Sequence, residues 1–181
     1  MIDRTLMRPR DMIAFVNECL NEAQGNYVVT ATTIKRAEIQ FSTKRRDSLE
    51  QEWQSAYPSI KRLMDLLAGK KQSLLTMGEL CSVSDVDDLA TAIYSDNRIG
   101  FDPLYELSKA HCDDGPSTAM AKMIVSILYR VGAIGVKLQA GVRYQFSHLD
   151  HPLLPVAQIP DGDLPIRVHP MLYGTFRIQS A

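Results

Sequence analysis

The residues best placed to do chemistry are Arg8-Pro9-Arg10-Asp11, at the start of a segment with helical periodicity. Pro9 suits a first helical position, where a missing N–H costs nothing, and Gly25-Asn26 supplies a stop. Cations at a helix N-terminus oppose the macrodipole, so Arg8 and Arg10 are more easily explained beside an anion from outside the segment. A nucleotide phosphate is one such anion. The plainer reading pairs the arginines with Asp3, Asp11 and Glu18 as solvated surface ion pairs.

Other chemistry is harder to find. The chain contains no G-x-x-x-x-G-K-[ST] loop and no G-x-G-x-x-G, hence no phosphate cradle of its own. His111-Cys112-Asp113-Asp114 and His148-x-x-His151 invite a metal, but neither offers a helical i, i+4 histidine pair or a thiolate pair. Histidines near helix ends are the simpler account. Cys19, Cys81 and Cys112 are odd in number and widely separated, which reads as reduced thiols in a cytoplasmic setting. No nucleophile and base stand at a recognisable spacing, so this chain is not expected to be an enzyme and ATP turnover by it alone is not expected.

The positioning elements follow from period and punctuation. The first helix runs from Pro9 to about Gln24 and is expected to bury Ile13, Val16, Leu20 and Ala23. The second runs from Thr32 or Thr33 to about Ser55 on Ile34, Ala37, Phe41, Leu49 and Trp53, with Lys44-Arg45-Arg46 on its solvated side. A third spans Ser59 to Ala68, and Thr76-x-x-Glu79 reads as a capping box opening a short fourth. Ser84, followed by Asp85, Asp87 and Asp88, opens the next helix, and Asp102-Pro103 another. Gly115-Pro116 begins the strongest, which shows Met120, Met123, Ile124, Ile127, Leu128 and Val131 on one face and stops at Gly132.

There the period changes to two. Ile134, Val136 and Leu138, a turn at Ala140-Gly141, then Val142, Tyr144 and Phe146 read as a β-hairpin. A helix followed closely by a hairpin is the order of the last helix and wing of a winged-helix domain. The proline-spaced tail from His151 is expected to run over the surface, with Ile166-Arg167-Val168 as a short strand and Met171 to Phe176 docking on the core. The fold class is therefore mostly α with a small β part: a helical lid-like segment over residues 1–57, then a winged-helix-like domain over 58–181.

Totals set the outer bounds. At 181 residues and 45% hydrophobic, the chain can bury a sizeable core. It has no apolar run of membrane-spanning length, so no membrane partner is expected. Residues 1–71 carry 12 Lys and Arg against 9 Asp and Glu, while 72–181 carry 8 against 12, so neither part has the strongly basic character of a nucleic-acid binder. The candidate nucleic-acid contacts are Lys122, Arg130, Lys137 and Arg143, too few for more than weak, salt-sensitive DNA binding.

Taken together, Arg8 to Ile13, Asn17-Glu18-Cys19 and Thr32-Thr33-Ile34-Lys35-Arg36-Ala37-Glu38 resemble the lid subdomain of AAA+ and STAND-type P-loop ATPases. Phe41-Ser42, Glu52-Trp53, Tyr129 to Gly135 and His169-Pro170 extend the similarity to an uncharacterised prokaryotic family of such ATPases. The resemblance implies that Arg10 matches the sensor 2 arginine, which reaches the terminal phosphates of a nucleotide, with Arg8 beside it. It implies a partner: a P-loop nucleotide-binding core, in cis or in trans, with ATP and Mg²⁺ as cofactors of a full-length protein and none in this chain. The role implied is a regulatory or interaction module coupling nucleotide state to DNA or to a partner protein. A stand-alone winged-helix DNA-binding regulator and a purely protein-binding module are the rivals.

Overall fold

The computed structural model describes residues 5–96 and 101–180; Asp3, one of the expected arginine partners, lies outside them. Two long helices come first, α1 (Pro9–Glu22) and α2 (Ala31–Trp53), with Thr30 capping α2 by accepting from the Thr33 N–H. Next come α3 (Ile60–Asp65), the strand β1 (Leu74–Thr76) and α4 (Met77–Leu80), the last opened by the full Thr76/Glu79 capping box. Then follow α5 (Val83–Tyr94), α6 (Tyr105–Asp114), α7 (Thr118–Arg130), β2 (Ile134–Val136), β3 (Pro165–Val168) and α8 (Tyr173–Phe176). The fold is mostly α with one small antiparallel sheet of order β1-β3-β2. Among the described residues no helix is long and apolar enough to cross a membrane.

Local chemistry accounts for most boundaries. Pro9 starts α1, and Gly132 ends the α7 region at φ +82°, a conformation that favours glycine. The face expected for α7 is the buried one, widened by Val125 and Tyr129. The cap of α5 is Ser82, whose hydroxyl accepts from the Asp85 N–H, rather than Ser84, two residues later. The Asp85 carboxylate accepts from Ser82 and Lys70, which hold its pKa below the ordinary range.

Two expectations are corrected. The first is the hairpin: β2 pairs with β3, Ile134 opposite Val168 and Val136 opposite Ile166, and residues 142–146 form no strand. Of that second arm only Gln145 meets β2, exchanging both backbone hydrogen bonds with Val136 at 3.0 and 2.8 Å. The Asp150 carboxylate accepts from the Phe146 N–H at 2.9 Å and from the Arg143 guanidinium at 2.7 Å, which ties residues 143–150 into a turn. The Phe146 ring lies so close over Gly135 that a Cβ there would meet it at 2.6 Å. The ring covers β2 instead of standing beside it in a ladder. The expected strand at 166–168 is present and is the sheet's central member.

The second correction concerns α1. Its buried residues are Asp11, Phe15 and Cys19, followed by Ala23, whereas Ile13, Val16 and Leu20 are exposed. The helix is turned by roughly one residue from the expected face. Phe15 meets Phe41 of α2 edge to face, with centroids 5.1 Å apart, a geometry that complements the ring quadrupoles.

The C-terminal segment binds the molecule together. The His169 N–H donates to Ala133, Gln179 and Ser73 join the chain's end to the approach of β1, and the Thr175 N–H donates to the buried Ser42 hydroxyl of α2. At Gly174 the backbone of α8 sits directly on α2: a Cβ there would stand 2.9 Å from the Ile39 Cα and 3.0 Å from the Glu38 carbonyl oxygen. Residues on both sides of position 57 contribute to one hydrophobic cluster, from Leu6 through Phe41 to Leu128 and Phe176.

Gly174→Ala is therefore expected to lower unfolding stability by about 1–3 kcal/mol through overpacking. Leu128→Ala should cost about 2–5 kcal/mol, while Gly162→Ala, with open space at its Cβ, should change stability by no more than about 0.5 kcal/mol. Denaturant titration checks all three, and equal effects at Gly174 and Gly162 would contradict the close α2–α8 approach.

Candidate functional site

Of the expected arginines, Arg10 lines a cleft of about 620 Å³ between α1 and α2, and Arg8 reaches the Glu52 carboxylate on its wall. Arg8 donates to both oxygens of Glu52 at 3.1 and 3.3 Å, and Arg10 donates to Oε2 of the same carboxylate at 3.4 Å. Arg10 is largely exposed, its side chain 64% accessible, and its Nε lies 3.7 Å from Asp11 Oδ1. The N-cap of α1, Arg8, makes no side-chain capping bond, and Asp11 is the acidic residue of its first turn.

Beneath these two lies a third arginine that sequence reasoning placed on a solvated face. The Arg45 side chain is only 5% exposed; one terminal nitrogen is 3.6 Å from Asp11 Oδ1 and the other 3.9 Å from Glu52 Oε2. Among the described residues its Nε and Nη2 have no hydrogen-bond partner, and neither does Asp11 Oδ2. Burial pulls the Arg45 pKa below its ordinary value; Asp11 and Glu52 oppose that, and Arg8 and Arg10 add to it. The other two members of the basic triplet diverge. Lys44 pairs with Glu18 at 2.7 Å, across the cleft. Arg46 bridges Glu50 and Asp65 at 2.7 and 2.6 Å and lies over the Phe176 ring; burial lowers its pKa, but the two hydrogen bonds outweigh that and raise it.

Arg45 carried a sequence signal. Ala37, Phe41 and Leu49 are all buried, and Arg45 occupies the i+4 position between Phe41 and Leu49. Successive residues on a helix point about 100° apart, so only one of three consecutive cations could share that stripe. Glu52 had no such signal, since a carboxylate on an exposed helix face is ordinary until its partners are known.

The candidate nucleic-acid contacts are not brought together. Lys122 pairs with Asp161 at 2.6 Å, and Arg143 with Asp150 at 2.7 Å. Arg130 donates to the Tyr57 hydroxyl at 2.8 Å and lies over the rings of Trp53 and Tyr57. Lys137 is half-buried just beyond β2, and its backbone N–H donates to Pro165. The outward-facing pair expected of Lys137 and Arg143 on opposite hairpin strands is not formed, because the second strand is not there.

The histidines and thiols also find structural roles. His111, buried on α6, meets Asp87 of α5 at 2.6 Å through Nε2. His148 packs edge-on against His169, and burial lowers its pKa despite the nearby Asp150. Among the described residues no cluster of three or more His, Cys, Asp and Glu is placed to hold a metal ion. Burial raises the Cys19 thiol and pushes Cys81 up to about 12, while Cys112 is exposed.

The family described as a FunZ-associated C-terminal helical domain matches residues 1–50, which contain α1 and most of α2. That match suggests a C-terminal helical domain of a larger protein. Neither a curated protein nor a solved structure matches the chain.

Exposure separates the arginines energetically. Arg10→Ala is expected to change unfolding stability by about 0.5 kcal/mol or less. Asp11→Ala, which leaves the Arg45 guanidinium buried without its nearest carboxylate, should cost about 3–5 kcal/mol. Denaturant unfolding of both variants checks this; a small loss at Asp11 would mean Arg45 reaches solvent.

Proposed function

We propose that this chain is the C-terminal regulatory and interaction module of a P-loop ATPase, in which Arg10, with Arg8 beside it, senses the phosphates of a nucleotide held by a core outside these residues. The observation that carries this reading is the convergence of Arg8 and Arg10 at the uncapped, outward-facing start of α1. Glu52 supplies one negative charge to these two cations at the positive end of a helix dipole, which leaves charge for a further anion to meet. The family match to residues 1–50 supports the coarser half of the reading, a helical domain belonging to something larger.

In this account residues 1–57 act as the lid-like part and 58–181 as a winged-helix-like part. Support for the latter is the strand order β1-β3-β2 with helices between β1 and β2; the long segment 137–164 stands where a short wing would be. Nucleotide state then passes through α1 and α2 to whatever the second part contacts. Chemistry at the nucleotide belongs to the core, and the chain contributes a positioned cation.

A protein rather than DNA is the better-supported recipient. Ile13, Val16 and Leu20 form an exposed apolar stripe on α1, Tyr27, Val28 and Val29 are exposed in the segment that follows it, and clustered apolar surface marks contact with another chain. The four cations expected to meet DNA are each engaged within the molecule or half-buried.

The test is made in the larger protein. An upstream reading frame with a G-x-x-x-x-G-K-[ST] loop is expected, and Arg10→Ala there should impair nucleotide-dependent turnover or affinity while circular dichroism and unfolding stay unchanged. Unaltered turnover and affinity in that variant would return Arg10 to a surface ion pair.

A further inference from the structure

We propose that Glu52 is an internal competitor in a phosphate-binding site built from Arg8, Arg10 and the buried Arg45, so that an incoming phosphate group displaces the Glu52 carboxylate and gains Arg45. The proposal shares Arg8 and Arg10 with the nucleotide-sensing reading and rests on it for the identity of the phosphate carrier in the larger protein. The role of Glu52 and the third arginine come from the geometry of the cleft.

Three guanidinium groups converge on one carboxylate and satisfy it unequally. Arg8 reaches it at 3.1 Å and Arg10 at 3.4 Å, but Arg45 only at 3.9 Å, beyond hydrogen-bond distance. Among the described residues Arg45 is left with Nε and Nη2 unbonded, at 5% side-chain exposure. A buried guanidinium with two unused donors is costly to maintain, and burial does lower its pKa. A carboxylate has two oxygens and one charge. A phosphate group has three or more oxygens and about two charges, enough to give every one of the three forks an acceptor.

The competitor can leave. Glu52 lies in the penultimate position of α2 with its side chain 35% exposed, so a rotamer change carries it to water. Its departure leaves Arg10, Lys44 and Arg45 of the cleft lining, with Arg8 released beside them, against Asp11 and Glu18, a local excess of positive charge near the first turn of α1. Asp11 holds Arg45 from the side and Glu18 holds Lys44, so both carboxylates have a cation of their own. Their presence on the cleft wall sets the affinity low while Glu52 remains in place. Glu52 thus makes the site responsive: weak alone, and strengthened when another group draws Glu52 away.

The experiment uses the chain itself with inorganic pyrophosphate as the probe, at constant ionic strength, followed by calorimetry and by the arginine Nε–H signals in NMR. Wild type should bind weakly. Glu52→Gln should bind at least about tenfold more tightly, the change that follows from removing one charged hydrogen-bonding competitor. Pyrophosphate should shift the Arg45 Nε–H signal, and both effects should be lost when Arg10→Ala and Arg8→Ala are added to Glu52→Gln. Those exposed arginines keep the test valid even where Arg45→Met does not fold. Affinity unchanged in Glu52→Gln, no binding by any variant, or a gain that survives loss of Arg8 and Arg10 would each overturn the proposal. None of these results depends on a P-loop core, so the site can stand where the ATPase reading fails, and the reverse.

Discussion

Arg45 enters the α1–α2 seam at a position where periodicity calls for an apolar side chain, and the arrangement of both helices depends on how its charge is met. Burying a guanidinium costs several kcal/mol unless a carboxylate accompanies it, and Asp11, equally buried, is the one that does. That pairing fixes which side of α1 faces α2. Once Asp11 points inward, Phe15, Cys19 and Ala23 follow at intervals of four, and Phe15 falls against Phe41. Ile13, Val16 and Leu20 are left facing outward. One buried ion pair thereby accompanies both an arginine-lined cleft between α1 and α2 and an exposed apolar stripe on α1.

This seam is also the platform for the other end of the chain. Helix α8 rests on α2 through Gly174, and Ser42, in the same helix as Arg45, accepts from the Thr175 backbone. A shift of α2 would therefore be felt at α8, and through the His169–Ala133 hydrogen bond at the start of β2. The physical link between a nucleotide-facing end and a partner-facing end, on the reading proposed above, runs along this path of packed backbone. It needs no mobile loop.

Much of the fold was legible because its signals are local. Pro9, the Thr76/Glu79 box, the strong stripe of α7 and Gly132 each act within a few residues, and each element formed close to where they indicated. Errors arose where two local answers were equally good and a distant residue decided. Helix α1 has two stripes at helical spacing, and the more hydrophobic one lost, because the burial of Asp11 beside Arg45 is decided 34 positions away. Alternation from Val142 to Phe146 suggested a strand paired with β2, but β2 takes its ladder from β3, 30 residues further on, and Asp150 draws 143–146 into a turn that meets β2 at Gln145. The two arginines at the cleft mouth were legible from Pro9 and the dipole. Arg45 was hidden in a basic triplet whose members point three ways.

The central claim is that Asp11 and Arg45 stabilise one another across the seam, and a double-mutant cycle measures it directly. Asp11→Ala, Arg45→Met and the double variant would be unfolded in denaturant beside the wild type. The account predicts a coupling of at least about 1.5 kcal/mol, with the double variant more stable than either single one, because removing both charges leaves none buried alone. Additive losses, with coupling below about 0.5 kcal/mol, would contradict it and would make the burial of Arg45 incidental to how α1 meets α2.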